Sequence, residues 1–140
     1  MGFDGGLEHV PSKQVYAIGI SGTVSSAVKY YNALSGPGSW TSGGNDRYTV
    51  AAIDGVAKKL VVRPRLGGSN GEVVVVYLEI NGVQTALSIT VPLSAPVTPI
   101  TVITDVAISE GDDLRIVCDR TAGVTGTFLA PAVSLVVDWD

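Results

Sequence analysis

One cysteine and one histidine stand among the 140 residues of the chain, and each scarcity closes off a class of protein. With Cys118 alone there is no internal disulfide framework, so the fold is held by its core, by association, or by both. With His9 alone, in a stretch that shows no periodicity, neither a histidine-rich metal site nor a hydrolase triad is expected, because a nucleophile needs a base within reach. Charge is sparse as well: charged residues make up 16%, and the formal net charge is -4. Basic residues gather only at Lys58-Lys59 and Arg63-Pro64-Arg65, which read as a solvated strand face. Phosphate neutralisation demands a concentrated basic surface, so no nucleic-acid partner is expected. No apolar run approaches the length of a membrane-spanning helix, so no membrane partner is expected either. The N-terminus lacks the basic start and apolar segment of a signal peptide, and Gly6 stands where the myristoylation motif has Ser or Thr. Synthesis and folding in a cytoplasm are the expectation. A helical period long enough to trust is also missing.

What is present is a chain of the length of one domain with one substantial core, carrying 17 glycines as short strands and tight turns require. It is organised around a hairpin. The run Glu72 to Ile80 meets Asn81-Gly82 and returns as Val83 to Val91, and Asn-Gly between two β-rich runs signals a type I′ turn. If Ile80 faces Val83, then Leu78 pairs with Thr85, Val76 with Leu87 and Val74 with Ile89, and these residues form a core face. On the other face Val73, Val75 and Tyr77 lie opposite Thr90, Ser88 and Ala86. That surface is apolar enough to require a cover, either a second layer of the same chain or a neighbouring subunit.

Residues 1–12 show neither strand nor helix period and read as an extended arm outside the sheets, folded back on its own domain or reaching onto a neighbour. Residues 13–140 read as a single domain. Lys13 to Ile20 is a strand with Tyr16, Ile18 and Ile20 on one face; Ala27 to Ala33 is a second, its inward face left open by the Tyr30-Tyr31 pair. Ser35 to Asn45 is a turn-rich loop anchored by Trp40. Strands over Arg47 to Ile53 and Lys58 to Arg65 flank a turn at Asp54-Gly55, and Pro64 marks the end of the second at an edge or bulge. Further strands cover Ile100 to Ile108, Leu114 to Asp119, with Cys118 as a small buried hydrophobe, and Ala132 to Trp139. Eight or nine short strands at regular spacing predict an all-β fold, a two-sheet antiparallel jelly-roll-like β-sandwich.

Chemistry-bearing clusters are few. Glu110, Asp112 and Asp113 offer oxygen ligands to a hard cation, but without the spacing of an EF-hand loop, and such turns are common in plain β-proteins. Gly43-Gly44 and Gly67-Gly68 precede neither a helix nor a Lys-Ser/Thr pair and read as turn glycines. Trp40, Asp46 and Tyr48 are the candidates for a glycan contact, since an exposed tryptophan can stack on a sugar ring. No catalytic residue, metal or cofactor is assigned, and an enzyme is not expected.

The segments Ala52 to Arg63 and Val76 to Val91, with Asn81-Gly82 followed by Thr85-Ala86-Leu87, and the later Val106-Ala-Ile-Ser-Glu-Gly-Asp-Asp-Leu-Arg-Ile116 together resemble a bacteriophage virion domain. Its fold is similar to the trimeric jelly rolls of tumour necrosis factor and C1q. Glu79 stands where that family usually has a basic residue. The resemblance implies a structural virion protein: a capsid decoration, or cement, protein that forms a homotrimer on the head shell beside the major capsid protein. It carries over no catalytic residues. The expected trimer interface is Val73, Val75, Tyr77 and Ala86, and the expected capsid-clasping arm uses Phe3, Leu7, His9 and Val10. The alternative is a tail or head-fibre tip or adaptor that binds a host receptor or glycan.

Overall fold

A computed structural model describes residues 12–18, 23–24, 29–34, 48–64, 73–92, 98–120, 128–129 and 131–140. Among them there is no helix. The strands are β1 (Ser12–Ile18), β2 (Thr23–Val24), β3 (Lys29–Asn32), β4 (Thr49–Val50), β5 (Gly55–Arg63), β6 (Val73–Ile80), β7 (Val83–Pro92), β8 (Ile100–Ile108), β9 (Asp113–Asp119), β10 (Phe128–Leu129) and β11 (Ala132–Trp139). One sheet has the order β1-β11-β5-β8; the other runs β3-β9-β6-β7, with β4 also paired to β9, and β2 and β10 form a small ribbon. Every pairing is antiparallel. If β3 and β4 count as one broken strand and the ribbon is set aside, eight positions remain, ordered 1-8-3-6 in one sheet and 2-7-4-5 in the other. That is the jelly-roll order, two Greek keys closing on one core.

Alternation builds that core. Ile18, Ala57, Leu60, Val62, Ile108, Val133, Leu135 and Val137 of the first sheet share one cluster with Val74, Val76, Leu78, Leu87, Ile89, Val91, Leu114, Ile116 and Cys118 of the second. Tyr30 points into it and Tyr31 away, which decides the face of β3. Trp139 lies at the rim of the cluster, 9% exposed.

The central hairpin turns as the sequence predicts, with positive φ at both Asn81 (51°) and Gly82 (80°). Its register does not persist. Ile80 pairs with Val83 and Glu79 with Gln84, but beyond an irregularity Val76 pairs with Ile89 and Val74 with Val91, two residues away from the expected partners. The cause is Thr85: its hydroxyl donates to the Leu78 carbonyl at 2.8 Å and accepts the Leu87 N–H at 3.3 Å, so a side chain replaces a rung of the ladder. A slip of two leaves every side chain on its expected face, because the strand period is two.

Three local expectations are corrected. Gly55 opens β5 rather than forming a turn, because it faces Trp139: a Cβ there would lie 2.6 Å from Trp139 Cε3 and 2.9 Å from the Asp138 carbonyl oxygen. The strand expected over Arg47 to Ile53 is only Thr49–Val50 among the described residues, since Ala51 turns its backbone to the β8–β9 turn, donating to Asp112 O and accepting from Gly111 N–H, both at 2.8 Å. Pro64 ends a central strand, flanked by β11 and β8, rather than marking an edge or bulge.

Candidate functional site

The outward face of the second sheet carries a buried polar cluster. Register places Glu79 of β6 opposite Arg115 of β9, and Tyr77 opposite Val117, which also pairs with Tyr31 of β3. Arg115 Nε lies 2.5 Å from Glu79 Oε1. The guanidinium carbon sits 3.9 Å from the Tyr31 ring centroid and 4.5 Å from that of Tyr48. Cation–π contacts of this kind contribute about 0.5–2 kcal/mol each, more as water is excluded. A buried ion pair adds little net stability, yet losing one partner strands the other charge. Tyr77, 2% exposed, has its hydroxyl pushed up to about 12, by burial first and then by the charges of Asp119 and Glu79 and by Tyr31, with Arg115 opposing. Glu79 is therefore the buried partner of Arg115.

Tyr77 is buried within its own chain. Of the expected interface set, Tyr77 is buried, Val75 half-buried and Ala86 exposed, while the side chain of Val73 lies outside the described residues. Tyr48 is committed by one ring face to Arg115, which takes that face from a sugar. Trp40, Asp46 and the arm residues Phe3, Leu7, His9 and Val10 lie outside the described residues.

The acidic turn is occupied by hydrogen bonds. Asp112 Oδ2 accepts the Ser109 N–H at 2.8 Å, and its Oδ1 accepts from Asn81 Nδ2 at 2.8 Å. Asn81 Oδ1 in turn accepts the Asp113 N–H at 2.9 Å, and Asp54 Oδ1 accepts the Glu110 N–H at 2.7 Å. The carboxylates thus lock the hairpin tip and the bend before β5 onto the β8–β9 turn, where Gly111 has a φ of 91°. Among the described residues no group of three or more acidic, histidine or cysteine side chains is arranged to hold a metal. Cys118 is fully buried and its thiol is pushed up to about 12 by that burial, with Arg120 opposing and Asp119 reinforcing, so it is a poor nucleophile.

Two further features escape a strand-by-strand sequence reading. The outer face of the first sheet is mixed, with large apolar side chains exposed on its two edge strands and polar residues between them. Register aligns Val15, Val136, Lys59 and Ile103 in one row, and Ala17, Ser134, Val61 and Thr101 in the next. Val15 is 62% exposed and Ile103 73%. Two ion pairs lie on this sheet, Lys58 with Asp105 at 3.1 Å and Lys13 with Asp138 at 3.9 Å, and Lys59 stands within the row itself. Alternation marks these residues as outward; only the strand order reveals that they form one surface. The second feature is an open apolar pocket of about 320 Å³ at the side of the sandwich, lined by Tyr16, Thr49, Val50, Ala52, Ile53 and Trp139.

Compared with models of known protein families and with curated proteins, the chain matches none. Its class is defined by the fold: an all-β, jelly-roll-like antiparallel sandwich.

Proposed function

We propose that the protein is a structural virion component, a phage capsid decoration protein that associates as a homotrimer on the head shell beside the major capsid protein. The observation that carries this reading is the row Val15, Val136, Lys59 and Ile103 across the first sheet, whose two ends, Val15 and Ile103, are exposed while Val136 and Lys59 are half-buried. It takes the place of Val73, Val75, Tyr77 and Ala86 as the subunit contact, because Tyr77 is already buried within one chain. Burial of apolar surface contributes about 25 cal/mol per Å², against an association cost of several kcal/mol, so a wide face rather than a single side chain is needed. The jelly-roll strand order and the sequence resemblance support the virion assignment.

Light scattering across a dilution series tests the association. A trimer mass is expected for the wild type, and a monomer mass for Val15→Asp/Ile103→Asp with an unchanged circular dichroism spectrum. A wild-type monomer at all concentrations would refute the free homotrimer. Co-sedimentation with undecorated heads tests the location; an intact trimer that ignores heads and binds a host glycan would transfer the protein to the tail or fibre tip.

A further inference from the structure

The chain has two Asn-Gly pairs, Asn70-Gly71 and Asn81-Gly82, and the second is held more firmly than its turn alone requires. An Asn-Gly bond is chemically self-reactive, because glycine has no side chain to hinder its nitrogen from attacking the neighbouring amide carbon. Asn81 and Gly82 are exposed at the hairpin tip, and nothing lies within 4 Å of where a Gly82 Cβ would stand. Water and space for the reaction are at hand. Yet the Asn81 side chain is pinned at both ends to the β8–β9 turn: Nδ2 donates to Asp112 Oδ1 at 2.8 Å, and Oδ1 accepts the Asp113 N–H at 2.9 Å. The Asn81 N–H also donates to Asp113 O at 2.9 Å, which fixes the main chain beside it. The partners settle which way the amide points, since a carboxylate accepts and a backbone N–H donates.

We propose that Asn81 is a guarded self-modification site, kept intact by Asp112 and the Asp113 backbone for as long as the β8–β9 turn stays closed on the hairpin tip. In the reaction the Gly82 nitrogen gives up its proton and bonds to Asn81 Cγ, the Cγ–Nδ2 bond breaks, and Nδ2 leaves as ammonia with that proton. Water then opens the five-membered ring at either carbonyl and leaves aspartate or isoaspartate at position 81. Attack comes from above the amide plane, and turning that plane toward Gly82 breaks both side-chain hydrogen bonds to the turn. The conversion is one-way. Neither product keeps the Nδ2 donor, aspartate sets a second carboxylate against that of Asp112, and isoaspartate adds a backbone carbon to a turn built on φ values of 51° and 80°. The pair therefore records how often this end of the sandwich opens, and the proposal does not depend on the virion reading.

Incubation of the full-length protein at a fixed, mildly alkaline pH tests it, with cleavage after glutamate and mass spectrometry as the readout; cuts at Glu72 and Glu79 place the two Asn-Gly pairs in different peptides. Folded wild type is expected to convert Asn81 at least about tenfold more slowly than the same chain unfolded in guanidinium, the factor that one hydrogen bond to a charged group supports. Asp112→Ala, shown to be folded by circular dichroism, is expected to close most of that gap. Equal rates in folded and unfolded wild type, or an Asp112→Ala rate as slow as wild type, would overturn the proposal. Asn81→Asp installs one product without touching Asp112 and is expected to lower the urea midpoint. An unchanged midpoint would show that the amide latches nothing and would overturn it as well.

Discussion

Single side chains in this protein do unlike jobs on the two faces of one strand. Along β9, Cys118 is core and Asp119 is not, Ile116 is core and Arg115 is clamped between rings. The burial of Tyr77 and Cys118 has a consequence for alkaline stability. Both groups have a folded value raised to about 12, above their ordinary values of 10 and 9, so the folded state holds its protons longer than the unfolded chain. Their contribution is fully present below pH 9 and is lost as pH rises toward 12. Urea unfolding between pH 8 and 11.5 is expected to show stability falling from about pH 9 upward, with the slope above pH 10 reduced in Tyr77→Phe. A slope identical to wild type in that variant would mean Tyr77 titrates as it does in the unfolded chain. The same burial predicts that Cys118 resists a thiol reagent until the protein unfolds.

At the level of elements, the second sheet is tied across its strands by side chains rather than by backbone alone. Arg115 joins β9 to Glu79 of β6 and to the rings of Tyr31 and Tyr48, which belong to β3 and to the residue before β4. Arg115→Met leaves the Glu79 carboxylate buried without its partner and is expected to cost about 3–5 kcal/mol, whereas Arg115→Met/Glu79→Leu recovers most of the loss. Denaturant midpoints of the four proteins of this cycle check it, and additive losses would deny the coupling. Thr85 gives the hairpin its change of register. Thr85→Val keeps the shape but removes the hydroxyl that serves Leu78 O and Leu87 N–H, with an expected loss of about 1–3 kcal/mol by urea unfolding. A loss below about 0.5 kcal/mol would show that water replaces the hydroxyl without strain.

For the whole molecule, the two outer faces differ in kind. On the second sheet's outer face Tyr77, Glu79 and Arg115 are buried, while on the first sheet's outer face Val15 and Ile103 stay exposed on either side of Lys59, which is why the proposed association is placed on the first sheet. One end of the sandwich is gathered by the Ser109–Asp113 turn, which holds the hairpin tip at Asn81 and the bend at Asp54. The C-terminus joins the same end as the Asp140 N–H donates to Asp54 O at 3.0 Å. Of the three carboxylates in that turn, Asp112 is held by the Ser109 N–H and the Asn81 side-chain amide.

Most strands were legible because an alternating pattern buries one face whatever its partner: β11 matches its expected span, and the inward residues of β6, β7 and β8 follow from period two alone, while in β5 the irregularity between Ala57 and Lys59 breaks the alternation before Leu60 and Val62. The Asn81-Gly82 turn was legible because few residue pairs tolerate two positive φ values in succession. Local sequence thus determined the fold class, the core faces and the inert cysteine. Tertiary structure decided what depends on which strands become neighbours. Strand order joined Val15 to Ile103 across four strands, register set Arg115 against Glu79 and between two tyrosines, and close packing against Trp139 made Gly55 part of a strand. Periodicity reports which way a side chain points, but the identity of what it meets is a property of long-range pairing, which no local pattern encodes.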